Sequence, residues 1–425
     1  MRGRSCVKIR KSLDIMGYLL ALLICTGPLK FILNYYFSLE GTMFDLTIAT
    51  LLAVVLSAVY RTVVKGESVN QALFGDTGIV VFVIGIFFVL YLLSIVYSVS
   101  DIASLEKLKR VSFLTVPSFF IPLLFFRAHD LKGFLRGYAY IVTGIALWTL
   151  GMFLTYGQII YTTSFEVQVN HLLPGTLFGA CIVMLIVSQT EKLFFSKGEI
   201  IILLVINLIA LVANGSRGPI IFGVLTLCIY YIFVKRRFKH KLMLIKSMVI
   251  FSLIISLTGL FIPNLLLRTV GRFSKIYQAF EGIQTMGISR LTHIEKALTN
   301  IDLAPVFGYG LGSYGVVAFG IDDVKLYPHN IFLEIWFELG FVGLALFLVF
   351  IAALYIVGIN RIRRESEDSK PKKYLILFAL LCFYFLGNHL KSLDLIGFRI
   401  AGVFLGIFMS LQTVSFTRYL KSNYI

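Results

Sequence analysis

Charge is scarce in this chain. Only 14% of its 425 residues are Asp, Glu, Lys or Arg, against 58% hydrophobic, whereas a soluble domain is nearer a quarter charged and half apolar. That shortage excludes a soluble domain of useful size. Cysteine is sparse as well. Cys6, Cys25, Cys181, Cys228 and Cys382 stand singly, and no two have the spacing of a metal site or a disulfide framework. They read as small buried hydrophobes. Internal repeats and low-complexity segments are missing. The N-terminus, with Arg2, Arg4, Lys8, Arg10 and Lys11, lacks a small-residue cleavage site, so the apolar run behind it reads as a retained span.

What the chain has instead is a succession of apolar runs of about 20 residues, each enough to cross a bilayer. Twelve spans are expected, near 15–33, 43–60, 78–97, 111–126, 134–154, 172–189, 199–213, 218–234, 243–262, 341–358, 373–387 and 395–413. The fourth is short and carries Pro117 and Pro122. Orientation supports it, because Lys and Arg concentrate in cytoplasmic loops. With the N-terminus inside and twelve spans, the basic clusters at 61–65, 127–136, 235–241 and 361–373 all fall on the cytoplasmic side. Omitting the fourth span would put KRRFKHK outside. The same bias accounts for the net charge of +17 without any nucleic acid. Lys107, Lys109 and Arg110 are assigned to the outer side, and Lys30, Lys246 and Arg399 fall inside spans, where charge is costly unless it faces the bundle interior or snorkels.

The expected architecture is all-α: one integral membrane domain over 1–425, a polytopic bundle with both termini cytoplasmic. Its largest interruption is an extracytoplasmic loop between spans nine and ten, 263–340. That segment is too polar to span yet has helix-like pieces near 274–286 and 290–300. A loop so long is functional or disordered, and its many aromatics favour order.

Chemistry-bearing residues gather in and around this loop. Arg217, in Asn214-Gly215-Ser216-Arg217-Gly218-Pro219, sits at a turn between spans. It is either an interfacial anchor or a phosphate ligand, since guanidinium matches phosphate oxygens bidentately. Arg290 opens the second loop helix. With Arg217 on the same side and Arg268 and Arg272 nearby in sequence, an anion-binding mouth is expected. His329 lies between Pro328 and the start of the helix IFLEIWFELG, and its ordinary pKa of about 6.5 suits a general base. His171, His293 and His389 lack that setting. Glu334 and Glu338 are four apart and share a helical face, read as a surface face. Asp322-Asp323 is either a weak cation site or solvated. Gly310, Gly312 and Gly315 spell G-x-G-x-x-G, but no strand or crossover unit surrounds them. Their expected use is to let backbone approach a ligand or another helix.

Taken together, Gly215-Ser216-Arg217-Gly218, Ser289-Arg290-Leu291, the run Pro305-Val306-Phe307-Gly308-Tyr309-Gly310-Leu311-Gly312-Ser313-Tyr314 and the block from His329-Asn330 to Glu338-Leu339-Gly340 resemble the bacterial O-antigen ligase and O-antigen polymerase family. The motif region runs from about 200 to 350. Ile294 departs from the pattern, because members often carry Trp four residues after the loop Arg. The resemblance implies an inverting, metal-independent glycosyltransferase of the GT-C type, without cofactor, in the bacterial inner membrane with its site facing the periplasm. Its donor would be a glycan on undecaprenyl pyrophosphate, and its acceptor a lipid-linked repeat unit (polymerase) or lipid A-core (ligase). Arg217 and Arg290 would hold the pyrophosphate and His329 would activate the acceptor hydroxyl. Arg268, Arg272, Gly310, Gly312, Asn330 and Glu334 complete the expected substrate contacts. Membrane lipids and a chain-length regulator protein are the other expected partners. Polymerase is the favoured reading. A flippase-like transporter is the competing class, but polarity concentrates in one loop and the two halves do not correspond as they do in many transporters.

Overall fold

The structure is a computed structural model that describes residues 15–37, 45–69, 76–156, 172–235, 290–302, 306–392 and 394–413. Ten helices among them are long and apolar enough to cross a membrane: α1 (Ile15–Phe37), α2 (Leu46–Val64), α3 (Thr77–Tyr97), α4 (Ile102–Phe125), α5 (Asp130–Tyr156), α6 (Leu172–Glu191), α7 (Lys197–Asn214), α8 (Arg217–Val234), α11 (Ile331–Arg364) and α12 (Lys370–Lys391). Between α8 and α11 lie the short helices α9 (Arg290–Ile301) and α10 (Tyr314–Phe319). The shorter apolar helix α13 (Arg399–Leu411) follows α12. No strand occurs among the described residues. The chain is a polytopic helical membrane protein.

Ten spans and α13 account for eleven of the twelve expected. The ninth, 243–262, lies outside the described residues. Two boundaries need correction. The fourth span starts at Ile102 rather than 111, so Lys107, Lys109 and Arg110 belong to the helix and not to a loop. Charge in its first turns had masked it from a hydropathy reading. A π-helical turn at Val111–Thr115 precedes Pro117, which loosens the helix where a proline removes a donor. The tenth span and the preceding motif helix form one rod broken at Gly340, whose φ of 65° and ψ of −164° leave the helical region. The break at Gly340 itself agrees with the sequence. Only glycine adopts that backbone without strain, and a Cβ there would strike the carbonyl of Val306.

α6 and α12 form the centre of the bundle, with 83% and 72% of their apolar windows buried, while α2, α8 and α11 lie at the rim with 28%. α1 packs on α5, α13 on α4, α11 on α3, and α6 on α7. Lipid tails are as apolar as leucine, so close packing holds such helices together. Here it is largely aromatic: Phe134, Tyr138, Phe378 and Phe385 surround Phe404, and the Phe385 and Phe404 rings stack at 4.5 Å. At one end of the bundle Arg61 grips Asp130 with two parallel hydrogen bonds of 2.7 and 2.6 Å, fixing α2 to α5. The other end carries the 306–330 segment, α9, α10 and the helix starts described next.

Candidate functional site

The glycine motif is a clamp between helices. Its segment runs beside the α3–α4 turn: Tyr97 Oη donates to Phe307 O at 2.9 Å, and Ser98 Oγ donates to Leu311 O at 2.6 Å. On its other side it follows the first turns of α11, with Tyr309 N donating to Phe337 O at 3.0 Å and Gly310 N to Glu338 O at 2.9 Å. Gly310 and Gly312 have φ of +86° and +73°, and a Cβ on either would collide with the backbone of Ser98 or of Ala103 and Ser104. Of the two approaches expected, ligand or neighbouring helix, the described contacts of these glycines are with a helix and its turn.

Asp322 extends the clamp. Its carboxylate accepts from Ser100 Oγ at 2.6 Å and from the amides of Asp101, Ile102 and Ala103 at 3.0, 2.8 and 2.9 Å, so it caps α4 from a distant part of the chain. Burial works against its ionised form, but the hydrogen bonds from Ser100 and these amides prevail and hold its carboxyl below the usual range. Asp323 Oδ1 accepts from Lys325 N in its own turn. Asp322 is therefore engaged with the start of α4, and Asp323 with its own turn.

α4 and α11 meet at a buried ion network that sequence reading missed. Lys107 Nζ binds both Glu334 Oε1 and Glu338 Oε1, and all three residues are 1% exposed. The carboxylates do share a face, but that face is interior and the surface reading is corrected. Glu334 Oε2 also accepts from Leu395 N at 2.9 Å. Expected as a substrate contact, Glu334 has both oxygens occupied by protein. Asn330, expected in the same role, caps α11 by accepting from Phe332 N at 2.9 Å and Leu333 N at 3.2 Å.

His329 precedes this cap. It is half-buried, with φ of 58°, a left-handed backbone that a non-glycine residue keeps only where its surroundings demand it. Its ring lies 4.2 Å from that of Tyr327 and 5.0 Å, edge-on, from that of His293. His293 is held in turn by Tyr314, whose hydroxyl donates to His293 O at 2.7 Å, and burial lowers its imidazole pKa. Arg290 opens α9 one helical turn before His293, so its backbone stands beside the His293–His329 pair. Arg268 and Arg272 lie outside the described residues.

Arg217 is placed by a different set of turns. Gly215, with φ of 64°, ends α7 in the left-handed conformation that commonly closes a helix, and α8 starts at Arg217. The first turn of α8 touches the end of α12: a Cβ on Gly218 would sit 3.0 Å from Lys391 Cδ and 3.3 Å from Asn388 Oδ1. Asn214 and Ser216 pack on Gly175 near the start of α6. Leu173, on that same first turn, lines the cavity that also holds Tyr327. Arg217 and His329 thus stand at the same end of the bundle.

That cavity has a volume of about 1050 Å³. Its lining includes Lys30, Lys109, Arg110, Lys325 and Arg399 with Asp45 and Asp394, a surplus of positive charge. Its apolar wall includes Leu51, Leu52 and Val55 of α2 and Phe113 of α4. Leu52 is 57% exposed on the rim, so this wall adjoins the lipid-facing surface. Lys30 pairs with Asp45 at 2.8 Å, which answers how a lysine is kept inside a span. Burial disfavours the charged form of Asp45, but Lys30 and the amides of Thr47 and Ile48 keep its carboxyl below its ordinary pKa. Lys107, His293, Tyr327 and Arg399 are the residues that only tertiary structure brings to this end. Arg399 alone gave a sequence signal, as a charge inside a span.

No curated protein sequence matches the chain. Residues 202–348, which take in Arg217, Arg290, the glycine clamp and the block from His329 to Glu338, match the model of the family described as O-antigen ligase, and over this stretch the chain is similar to that family.

Proposed function

We propose that the protein is an inverting glycosyltransferase that moves a glycan from undecaprenyl pyrophosphate to an acceptor hydroxyl, with a lipid-linked repeat unit as acceptor. The observation that carries this reading is the gathering of a half-buried imidazole, two arginine-bearing helix starts and a basic, lipid-flanked cavity at one end of a membrane bundle. The apolar residues of α2 suit a polyprenyl chain, and the surplus of Lys and Arg in the same lining suits a pyrophosphate. In the reaction the acceptor oxygen attacks the anomeric carbon and the bond from that carbon to the pyrophosphate oxygen breaks. His329 takes the hydroxyl proton, while Arg217 and Arg290 meet the charge growing on the leaving group. Donors aimed at that charge stabilise the transition state more than the ground state. The bias of Lys and Arg toward one side supports an inner-membrane setting with the site periplasmic.

The second reading, ligation to lipid A-core, is favoured by the description of the matching family. Purified protein in detergent separates the two. Incubated with undecaprenyl-pyrophosphate-linked repeat units alone, a polymerase yields a ladder of longer glycans. A ligase yields product only when lipid A-core is added. The absence of product with either substrate set would overturn the transferase reading.

A further inference from the structure

Lys107 is buried, charged and outside any role assigned above. Its ammonium binds two carboxylates on α11, and one of these, Glu334, passes the link on to the amide of Leu395. Three separate stretches therefore converge on it: the first turns of α4, the start of α11 just beyond His329, and the turn leading into Arg399. Each supplies wall to the cavity or lies beside it, through Arg110, Tyr327 and Arg399 respectively. One ammonium faces two buried carboxylates. A pair chosen for packing alone would be no weaker as a matched apolar contact, so an expensive ionic hub at this junction points to a need for exact placement.

We propose that Lys107 is a positioning residue for the transfer reaction: through Glu334 it sets the 394–399 turn, and with it Arg399, against the His329 end of α11. The kinetic part rests on the proposed glycosyltransferase activity; the structural part does not. A misplacement of about 1 Å at a site can lower the rate about 100-fold. Lys107→Met is therefore expected to lower kcat/KM for lipid-linked donor about 100-fold, and Lys107→Arg, which keeps the charge and donors, to restore most of it. In parallel, hydrogen exchange followed by mass spectrometry on the full chain in detergent should show faster exchange at Leu395 and the following residues in Lys107→Met, with α5 and α6 unchanged and with Lys107→Arg protected. Should Lys107→Met fail to accumulate, the double variant Lys107→Met, Glu338→Gln, which removes one buried carboxylate together with the ammonium, takes the same measurements. Unchanged exchange at Leu395, or loosening spread evenly over the bundle, overturns the proposal even if the protein proves to have another activity. Wild-type kinetics in a Met variant with a loosened turn overturns the catalytic link alone.

Discussion

His329 keeps a left-handed backbone at φ of 58°, and this limits how it is best tested. Asparagine tolerates that conformation far better than alanine, so His329→Asn removes the imidazole with least disturbance to the turn. Glycan transfer by this variant is expected to fall about 100- to 10,000-fold, the range of a lost general base, measured as longer glycan formed from lipid-linked donor. Arg217→Ala should lose on the order of 3–4 kcal/mol of transition-state stabilisation, seen as a fall in kcat with little change in donor KM. Asn330→Ala removes a helix cap and should lower stability by about 1 kcal/mol, measured by thermal unfolding in detergent. Asp322 adds a pH effect. Its folded pKa lies below the unfolded one, so its stabilisation is present above about pH 3.9 and disappears as pH falls through the folded value. Asp322→Asn should flatten the acid limb of melting temperature against pH. Arg217, Arg290 and His329 stood out in the sequence because each adjoins a turn signal. Lys107 did not, because its partners are more than 200 positions away and nothing local marks a lysine as paired. His293 draws interest only once its ring is found against His329.

At the scale of elements, the glycine clamp and the Gly340 break are two sides of one joint. The 306–312 run lies along residues 337–342, each side placing glycine where the other's backbone comes nearest. Gly310→Ala combines a strained φ with a backbone collision, and should destabilise by more than the about 1–3 kcal/mol of conformational strain alone. Gly85→Ala in α3, where a Cβ meets nothing within 4 Å, is the matched control and should be neutral or stabilising. Both are read by the same thermal unfolding. The motif was visible in the sequence, and so was the choice between ligand and helix as its neighbour, but the identity of the α3–α4 turn was not. A contact over such separation leaves no periodic trace. The start of α4 was misplaced for a related reason: its first turns carry Glu106, Lys107, Lys109 and Arg110, so hydropathy falls where the helix continues.

For the whole molecule, composition alone was enough to make this a helical membrane bundle, because runs of this length and hydropathy have no other economical fold. Ten spans and α13 are in place, with the helix starts of α6, α8, α11 and α13 gathered at one end. The cavity and its mixed lining were not foreseeable, since they are contributed by five or more elements, none of which is conspicuous by itself. The low burial of α2 has a further consequence. A substrate arriving past Leu52 and Val55 travels within the plane of the leaflet and never dissolves in water. Under the proposed transferase reading, the protein would then sense the mole fraction of that substrate among amphiphiles rather than its molarity. Adding detergent at constant total substrate should slow turnover in proportion to the dilution of the micellar surface, whereas a substrate taken up from the aqueous phase would be indifferent to it.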